Sequence, residues 1–552
     1  MADIIFISSG SGGETHTSIR AETGMSILDA ARLGGVKIET PCNGMGICGK
    51  CGVNIAGGGE SVLACQTKIR DGAAYLVRNY DDKNRSLRIL SKRESFEYKN
   101  APFIAKKYQG GKTEVYGGGI LLGTEEGDSS AFMYGLAVDI GTTTLVIELV
   151  DIHSGKTLAA ESALNPQTNY AQDVLGRIHF AGRENGLAVL YNAFVEVLNA
   201  MIHGLVKKTG IESKYIYEAV YSGNTTMLHL ACSTDPASLG RYPYTPQITG
   251  GCHARDGKLA VSPFALVYLP PVISAWVGAD ITSGILAAGL EDKTGVSLFI
   301  DIGTNGEMVL AKDGRLAASS TAAGPAFEGM NISCGMRASQ GAIESFSIDR
   351  DGSYTFGLIG EEGSCSGIDA KGQKAEGICG SGLLDIAGEL VRAGVIDRRG
   401  RFVSPEDGAY STAIKSRIRP VAGKNAFFIT DRIYLAQKDV RQIQLAKGAI
   451  RCGIEMLLAR FDIRSNDVDR VIIAGSFGYH LDEKSLINTG LLPPQFAGKI
   501  SFAGNTSLGG AAAFLMNVQL RERIGELTAR VEKVELAQDS GFERSFIKYM
   551  GF

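Results

Sequence analysis

Four of the ten cysteines, Cys42, Cys48, Cys51 and Cys65, fall within 24 residues in the spacing C-x5-C-x2-C-x13-C. Clustered thiolates are the ligands of iron–sulfur centres, and this run lies near the plant-type C-x4-C-x2-C…C pattern of a [2Fe–2S] site. Gly44, Gly46, Gly49 and Gly52 crowd the first three cysteines. They suit a loop that must turn tightly and offer backbone N–H groups to sulfur. Structural zinc is the competing chemistry. It favours two separated C-x2-C pairs, whereas one is present here and no histidine lies near. Inert thiols are the plain alternative, and a disulfide fits least because nothing suggests export.

A second chemistry is written twice. "GLAVDIGTTTLVIELV" (135–150) and "SLFIDIGTNGEMVLA" (297–311) each pass from an apolar strand through Asp-Ile-Gly-Thr into another strand, with Asp139 and Asp301 162 residues apart. An aspartate closing a strand, followed by glycine and hydroxyl residues in a tight turn, brings N–H groups and threonine side chains up to phosphate oxygens. The aspartate can hold Mg²⁺ through water. One such turn is as readily an ordinary hairpin; two on matching strands predict similar lobes facing one cleft. Asp139 and Asp301 are then expected to orient Mg²⁺ and the attacking water. Gly141, Thr142, Thr143, Gly303, Thr304 and Asn305 would cradle phosphates. A third strand, "VDRVIIAGSFGYHLD" (468–482), leads into Gly475, Ser476 and Gly478, which would line the adenosine side. Asn224-Thr225 reads equally as a cleft contact or as helix capping.

The elements that must position these residues follow from texture. "AETGMSILDAARLGGVKIE" reads as a turn, an amphipathic helix with Ile27, Leu28, Ala31 and Leu33 inward, and a return strand. A ferredoxin-like unit is expected over 1–92. Residues 93–133, charged and Gly-rich, read as a linker with room for a helix of its own. A two-lobed ATPase unit is expected over 134–552, with lobe 1 about 134–295 and lobe 2 about 296–552. "CGSGLLDIAGELV" (379–391) and "AGNTSLGGAAAFL" (503–515) read as helices packed between the lobes. Trp276 and the six other cysteines read as core residues. Lys438, Asp439 and Arg441 read as a solvated helix face. His229 and His480 carry no motif.

At 552 residues the chain needs several domains. With 44% apolar residues, 21% charged and a net charge of −3, it announces neither disorder nor a nucleic-acid surface. The longest apolar run, near 266–279, is broken by Pro270-Pro271, so no membrane span is expected. The N-terminus lacks the basic-then-apolar pattern of a signal peptide, and a cytoplasmic protein is expected.

Residues 39–65 resemble the β-grasp ferredoxins. The first gap is five residues, as in adrenodoxin-like members, and the last is shorter than in free ferredoxins. Residues 134–552 resemble the acetate and sugar kinase, Hsp70 and actin superfamily. Within it, "YSGNTTMLHLACSTDPASLGRYPYTP", "LPPVISAWVGADITSGIL", "TAAGPAFEGMNISCGMRASQGAI", "EGICGSGLLD" and "LAQKDVRQIQLAKGAI" resemble the reductive activators of corrinoid-dependent methyltransferases. The fold class this implies is multidomain α+β and α/β: a β-grasp ferredoxin-like domain, a linker, and a duplicated two-lobed ATPase. Only about 45 residues precede the first phosphate hairpin after the cluster unit, so a separate middle domain is expected to be shortened or missing.

The resemblance implies a [2Fe–2S] cluster on Cys42, Cys48, Cys51 and Cys65, with ATP and Mg²⁺ in the cleft. The partners implied are a corrinoid protein and a low-potential electron donor, and the chain would form a homodimer. The implied job is to return stalled Co(II) corrinoid to Co(I) at the expense of ATP. Plant-type clusters sit near about −400 mV, above the Co(II)/Co(I) couple. A gap of order 100 mV is roughly 50-fold, or about 2.3 kcal/mol, within reach of an ATP-dependent state favouring weakly ligated Co(II). Three rivals stand beside this reading: a small-molecule kinase with a regulatory cluster, an activator of a radical dehydratase or reductase, and a non-catalytic chaperone-like ATPase module without electron transfer.

Overall fold

The computed structural model describes residues 1–10, 13–38, 40, 44, 46, 50–57, 61–77, 99–292, 294–360, 364–366, 375–475 and 481–552. The N-terminal unit runs β1 (Ala2–Gly10), β2 (Gly13–Ala21), α1 (Ile27–Leu33), β3 (Gly52–Ile55), β4 (Ser61–Leu63) and β5 (Ala74–Val77). Its sheet order is β2-β1-β5-β3-β4, with β1 antiparallel to β2 and parallel to β5. Alternation along β1 sends Ala2, Ile4 and Phe6 inward, where they meet Ile27, Leu28, Ala31, Val53 and Tyr75. Ser26 starts α1: its Oγ accepts from the Asp29 amide at 3.0 Å. Leu33, expected inward, is 66% exposed. At about 100° per residue it falls roughly 120° away from Ile27 around the helix.

The stretch expected as a linker folds instead. β6 (Ile104–Gln109), β7 (Lys112–Gly117) and β8 (Ile120–Glu126) form an antiparallel three-stranded sheet, and no helix occurs among its described residues. Ile104 and Val115 enter the core of the following unit. Lys106, whose side chain is fully buried, donates to Glu125, Ser129 and Tyr217, fastening the sheet to lobe 1. Its charge is satisfied on several sides, which is the condition for burying it.

Lobe 1 continues with β9 (Tyr134–Ile140), β10 (Thr144–Asp151), β11 (Thr157–Leu164), α2 (Val174–Ala181), α3 (Gly186–Thr209), β12 (Ile216–Gly223), α4 (Thr225–Ala231), β13 (Cys252–Ala254), β14 (Leu266–Leu269) and α5 (Ala279–Ala287). Its sheet order is β11-β10-β9-β12-β14-β13. Lobe 2 opens with β15 (Val296–Ile302), β16 (Gly306–Lys312) and β17 (Arg315–Thr321). An inserted layer follows: β18 (Ala342–Ile348), β19 (Tyr354–Leu358), β20 (Ser364–Ser366), β21 (Gly377–Ile378), α6 (Gly380–Arg392), α7 (Thr412–Lys415), β22 (Ile418–Val421), β23 (Lys424–Phe428), β24 (Tyr434–Ala436) and α8 (Gln437–Arg460). The chain then returns through β25 (Arg470–Ala474), α9 (Glu483–Asn488), β26 (Ile500–Gly504), α10 (Thr506–Met516), α11 (Val518–Thr528), β27 (Glu532–Lys533) and α12 (Phe542–Tyr549).

The lobe 2 sheet, β26-β25-β15-β16-β17-β27, repeats the lobe 1 plan: an antiparallel triplet whose first strand pairs in parallel with a later strand, which in turn pairs in parallel with another. These sheets are covered on both faces, so their strands are apolar on both sides. In β9, Ala137 faces one core while Leu136 and Val138 face another. α5 and α10 cross between the sheets. A Cβ on Gly510 would stand 2.3 Å from the Ser283 carbonyl, so only glycine lets the two backbones meet. Every residue of α10 is buried.

α3 is long and apolar enough, by length and composition, to cross a membrane, so the longest apolar element is not the 266–279 run. One face (Leu190, Phe194, Leu198, Ile202, Leu205) lies in the lobe 1 core, which marks it as the covering helix of a sheet. α11 ties the lobes together: Arg521 grips Glu218 through Nη1 and Nη2 at 2.9 and 3.0 Å. In α8, buried Lys447 donates to the Gly551 carbonyl, and burial with the nearby Arg451 charge pushes its pKa down to about 7. The unfolded chain keeps that proton to about pH 10. Between those values the unfolded state binds more protons, so stability should rise with pH from about 7 to about 9.5. Urea unfolding across that window is expected to show this slope, and to show it flattened in Lys447→Met.

Candidate functional site

The duplicated hairpins meet across one cleft. Asp139, Gly141, Thr142, Thr143, Asp301, Gly303, Thr304, Asn305 and Gly475 all line it. It opens at the carboxyl ends of the parallel strands, the usual ligand position in such sheets. Ser476 and Gly478 lie outside the described residues. Gly475 is required at its position: its φ is +101°, and a Cβ would stand 2.6 Å from Asp301 Oδ1. Gly475→Ala is expected to lower stability by about 1–3 kcal/mol and to weaken nucleotide binding, read by thermal unfolding and calorimetry.

The first phosphate turn is held from behind by side chains that sequence patterns did not single out. Asn165 Nδ2 donates to the Gly141 carbonyl at 2.8 Å, and fully buried Arg177 donates to the carbonyls of Thr142 and Ala171. Burial pushes the Arg177 pKa down to about 9. Asn224 takes both roles left open for it: its Oδ1 accepts from the Met227 amide, capping α4, and its Nδ2 donates to Thr142 Oγ1 at 3.0 Å.

Each hairpin aspartate faces the helix of the other half, and the two surroundings differ. Asp139 accepts from Asn505 Nδ2 at 2.8 Å and Ser507 Oγ at 2.7 Å, at the N-terminus of α10. Asp301 faces carboxylates: Asp280, in the first turn of α5, and Glu307 of β16. Burial, then the Asp139 charge, pushes the Asp301 pKa up to about 7. Burial and Asp301 likewise raise that of Asp280. Burial, with Asp280 and Asp301, raises that of Glu307. Converging buried oxygens of like charge favour a hard cation. Among the described residues no three His, Cys, Asp or Glu side chains are close enough to hold an ion by themselves. Mg²⁺ keeps much of its water, so it would be held here through water as well as carboxylate. Asp280 and Glu307 were not single-site expectations. Asp280 lay within a string quoted for family likeness; what could have marked it is its match to Ser507, two residues past the cap of the equivalent helix.

Glu328 spans the lobes. Its carboxylate accepts from Thr143 Oγ1 of one hairpin and Thr304 Oγ1 of the other. It closes a 3₁₀ turn, Pro325–Glu328, entered through Gly324 at φ +79°.

In the N-terminal unit, Cys51 Sγ and Cys65 Sγ stand 3.2 Å apart. Gly44 and Gly46, at φ +84° and +77°, supply the left-handed turns their interleaving predicted. Cys42 and Cys48 lie outside the described residues. The two sulfurs present fit the paired ligands of a cluster.

Elsewhere the expectations divide. Cys379 and Cys452 are buried, Cys232 and Cys334 half-buried, Cys252 is exposed, and Cys365 lies in β20 opposite Phe356. Trp276 is half-buried, edge-on to Tyr244, rather than in the core. Asp439 is buried, not solvated: its carboxylate accepts from the amides of Ala436 and Ser333. His229 is a satisfied core histidine, with Nδ1 on the Thr225 carbonyl and Nε2 accepting two amides. His480 lies outside the described residues.

Residues 13–70 match the profile of the 2Fe-2S iron-sulfur cluster binding domain. Residues 134–293 match the "RACo middle region", and 295–552 the "C-terminal domain of RACo the ASKHA domain". The chain is 30% identical over 570 aligned positions to "Corrinoid activation enzyme RamQ" of Eubacterium limosum, covering 93% of this chain and 94% of that protein. The chain belongs to the reductive activators of corrinoid proteins. A solved "Reductive activator for corrinoid,iron-sulfur protein" superposes on this activator with a TM-score of 0.73 at 30% identity, covering 100% of this chain and 98% of the other. The "[Co(II) methylated amine-specific corrinoid protein] reductase" of Methanosarcina barkeri is 25% identical over 72% of the activator and 73% of its own length. The matched middle region begins at the first phosphate hairpin and coincides with lobe 1.

Proposed function

We propose that this ATP-dependent reductive activator divides its work among the residues above. It passes an electron from its [2Fe–2S] centre to an inactive Co(II) corrinoid protein, restoring Co(I) for methyl transfer. Cys42, Cys48, Cys51 and Cys65 hold the cluster, which supplies the one-electron chemistry. Asp301, with Asp280 and Glu307, holds hydrated Mg²⁺, and Asp139, fixed by Asn505 and Ser507, orients the attacking water. The hydroxyls of Thr142, Thr143 and Thr304, with Gly141, Gly303 and Asn305, receive the phosphates. Gly475, Ser476 and Gly478 admit the adenosine side.

The observation that carries this is the asymmetry of the aspartates: one bound by neutral donors, its mate set among carboxylates that need a cation. Family likeness supports a low-potential donor and a homodimer. A cysteine-ligated iron centre supports a cytoplasmic setting, where thiols stay reduced. The test mixes anaerobically prepared protein, a strong reductant, Mg²⁺-ATP and a Co(II) corrinoid protein. The Co(I) absorption band should grow only with ATP. An unchanged yield with a nonhydrolysable analogue would remove hydrolysis from the scheme.

A further inference from the structure

The cluster-bearing unit rests on both lobes at once. A crevice beside the cleft is lined by Lys37, Ile38 and Thr40 from that unit, Thr168 and Gln172 from lobe 1, and Met330 and Arg337 from lobe 2. Lys50, next to the ligand Cys51, reaches the Gly335 carbonyl at 3.5 Å. One segment of lobe 2, 328–337, therefore touches everything. Its first residue, Glu328, bridges the phosphate-turn hydroxyls, and its last, Arg337, lines the nucleotide cleft and the crevice alike.

The segment is stiff. Gly329 and Gly335 pack back to back, with a Cβ on Gly335 falling 2.1 Å from the Gly329 carbonyl. Asp439 holds the Ser333 amide, and Met336 and Ile378 exchange backbone bonds with this stretch. Arg337 Nε is buried with no hydrogen-bond partner among the described residues, a cost that an anion in the cleft would relieve.

We propose that Arg337 is the residue that reads the nucleotide's phosphates and transmits them to the docking of the cluster-bearing unit. The inference rests on the cleft being the nucleotide site. Arg337 lines both the crevice and the cleft, and a phosphate in the cleft offers its guanidinium a charge-assisted, forked contact. Nucleotide therefore draws the guanidinium inward and loosens the crevice. The cluster, set beside lobe 2 through Lys50, is then free to approach a second protein.

The test uses the full chain with its cluster reconstituted, AMPPNP with Mg²⁺ as probe, and amide hydrogen exchange over 36–40 and 168–172. In the wild type, saturating probe should speed exchange in both stretches. Arg337→Ala should bind AMPPNP about tenfold more weakly, the loss of one charge-assisted contact, and at saturation leave exchange unchanged. Arg337→Lys, keeping charge without the fork, should fall between. An unaltered cluster absorption spectrum in each variant shows that the fold is intact. If Arg337→Ala loosens as the wild type does, or the wild type binds probe without loosening, this inference is wrong while the nucleotide site stands. If the wild type binds no probe, both fall.

Discussion

Cys65→Ser is expected to give a colourless protein that cannot reduce Co(II) corrinoid yet still hydrolyses ATP. Cys65 Sγ stands 3.2 Å from Cys51 Sγ, and a serine hydroxyl is neither a soft ligand nor ionised at neutral pH. Loss of a mere outer-shell partner costs about 10–100-fold in such sites, so loss of a ligand should exceed about 100-fold in corrinoid activation. Cys252→Ser is the control: Cys252 is exposed and lies in β13 of lobe 1, so cluster spectrum and activation should both survive. The two variants, compared by visible absorption and by Co(I) formation, separate ligation from nonspecific thiol loss. A wild-type spectrum in Cys65→Ser would remove it from the cluster.

Asp301→Asn is expected to raise thermal stability while nearly abolishing hydrolysis. The carboxyl is half-buried in the cleft, beside Asp139 and Asp280, and its pKa is pushed up to about 7. A neutral isostere relieves the desolvation and the like-charge repulsion, so the nucleotide-free protein should melt higher at pH 8, where the native carboxylate is ionised. The same change removes a charge that Mg²⁺ needs. Electrostatic groups aimed at developing charge are worth about 10²–10³ in rate, and hydrolysis should fall by about that much. The opposite signs are the point: a merely structural aspartate would lose stability and activity together. Melting and phosphate release measured on one preparation decide it.

Much of this was legible in the sequence because it is local. The cysteine spacing, the interleaved glycines and the doubled Asp-Ile-Gly-Thr turn are short-range patterns, and nine residues singled out for the cleft do line it. The likeness of quoted strings named the right family, as the relatives show. What local pattern missed were residues whose meaning depends on a distant neighbour. Glu328 matters because Thr143 and Thr304 converge on it from different lobes, and Asp280 because a helix start in one lobe faces a strand end in the other. Asp439, read as solvated, is buried because it holds a loop more than a hundred residues away.

The stretch before the first hairpin shows the same limit. Its charge and glycine content read as a linker, yet Lys106 finds Glu125 and Tyr217 and a three-stranded sheet forms. Composition alone, then, determined which atoms could bind iron or phosphate. Only the tertiary structure decided which charges face one another, because burial and Coulomb repulsion depend on separation in space, and chain order does not record it.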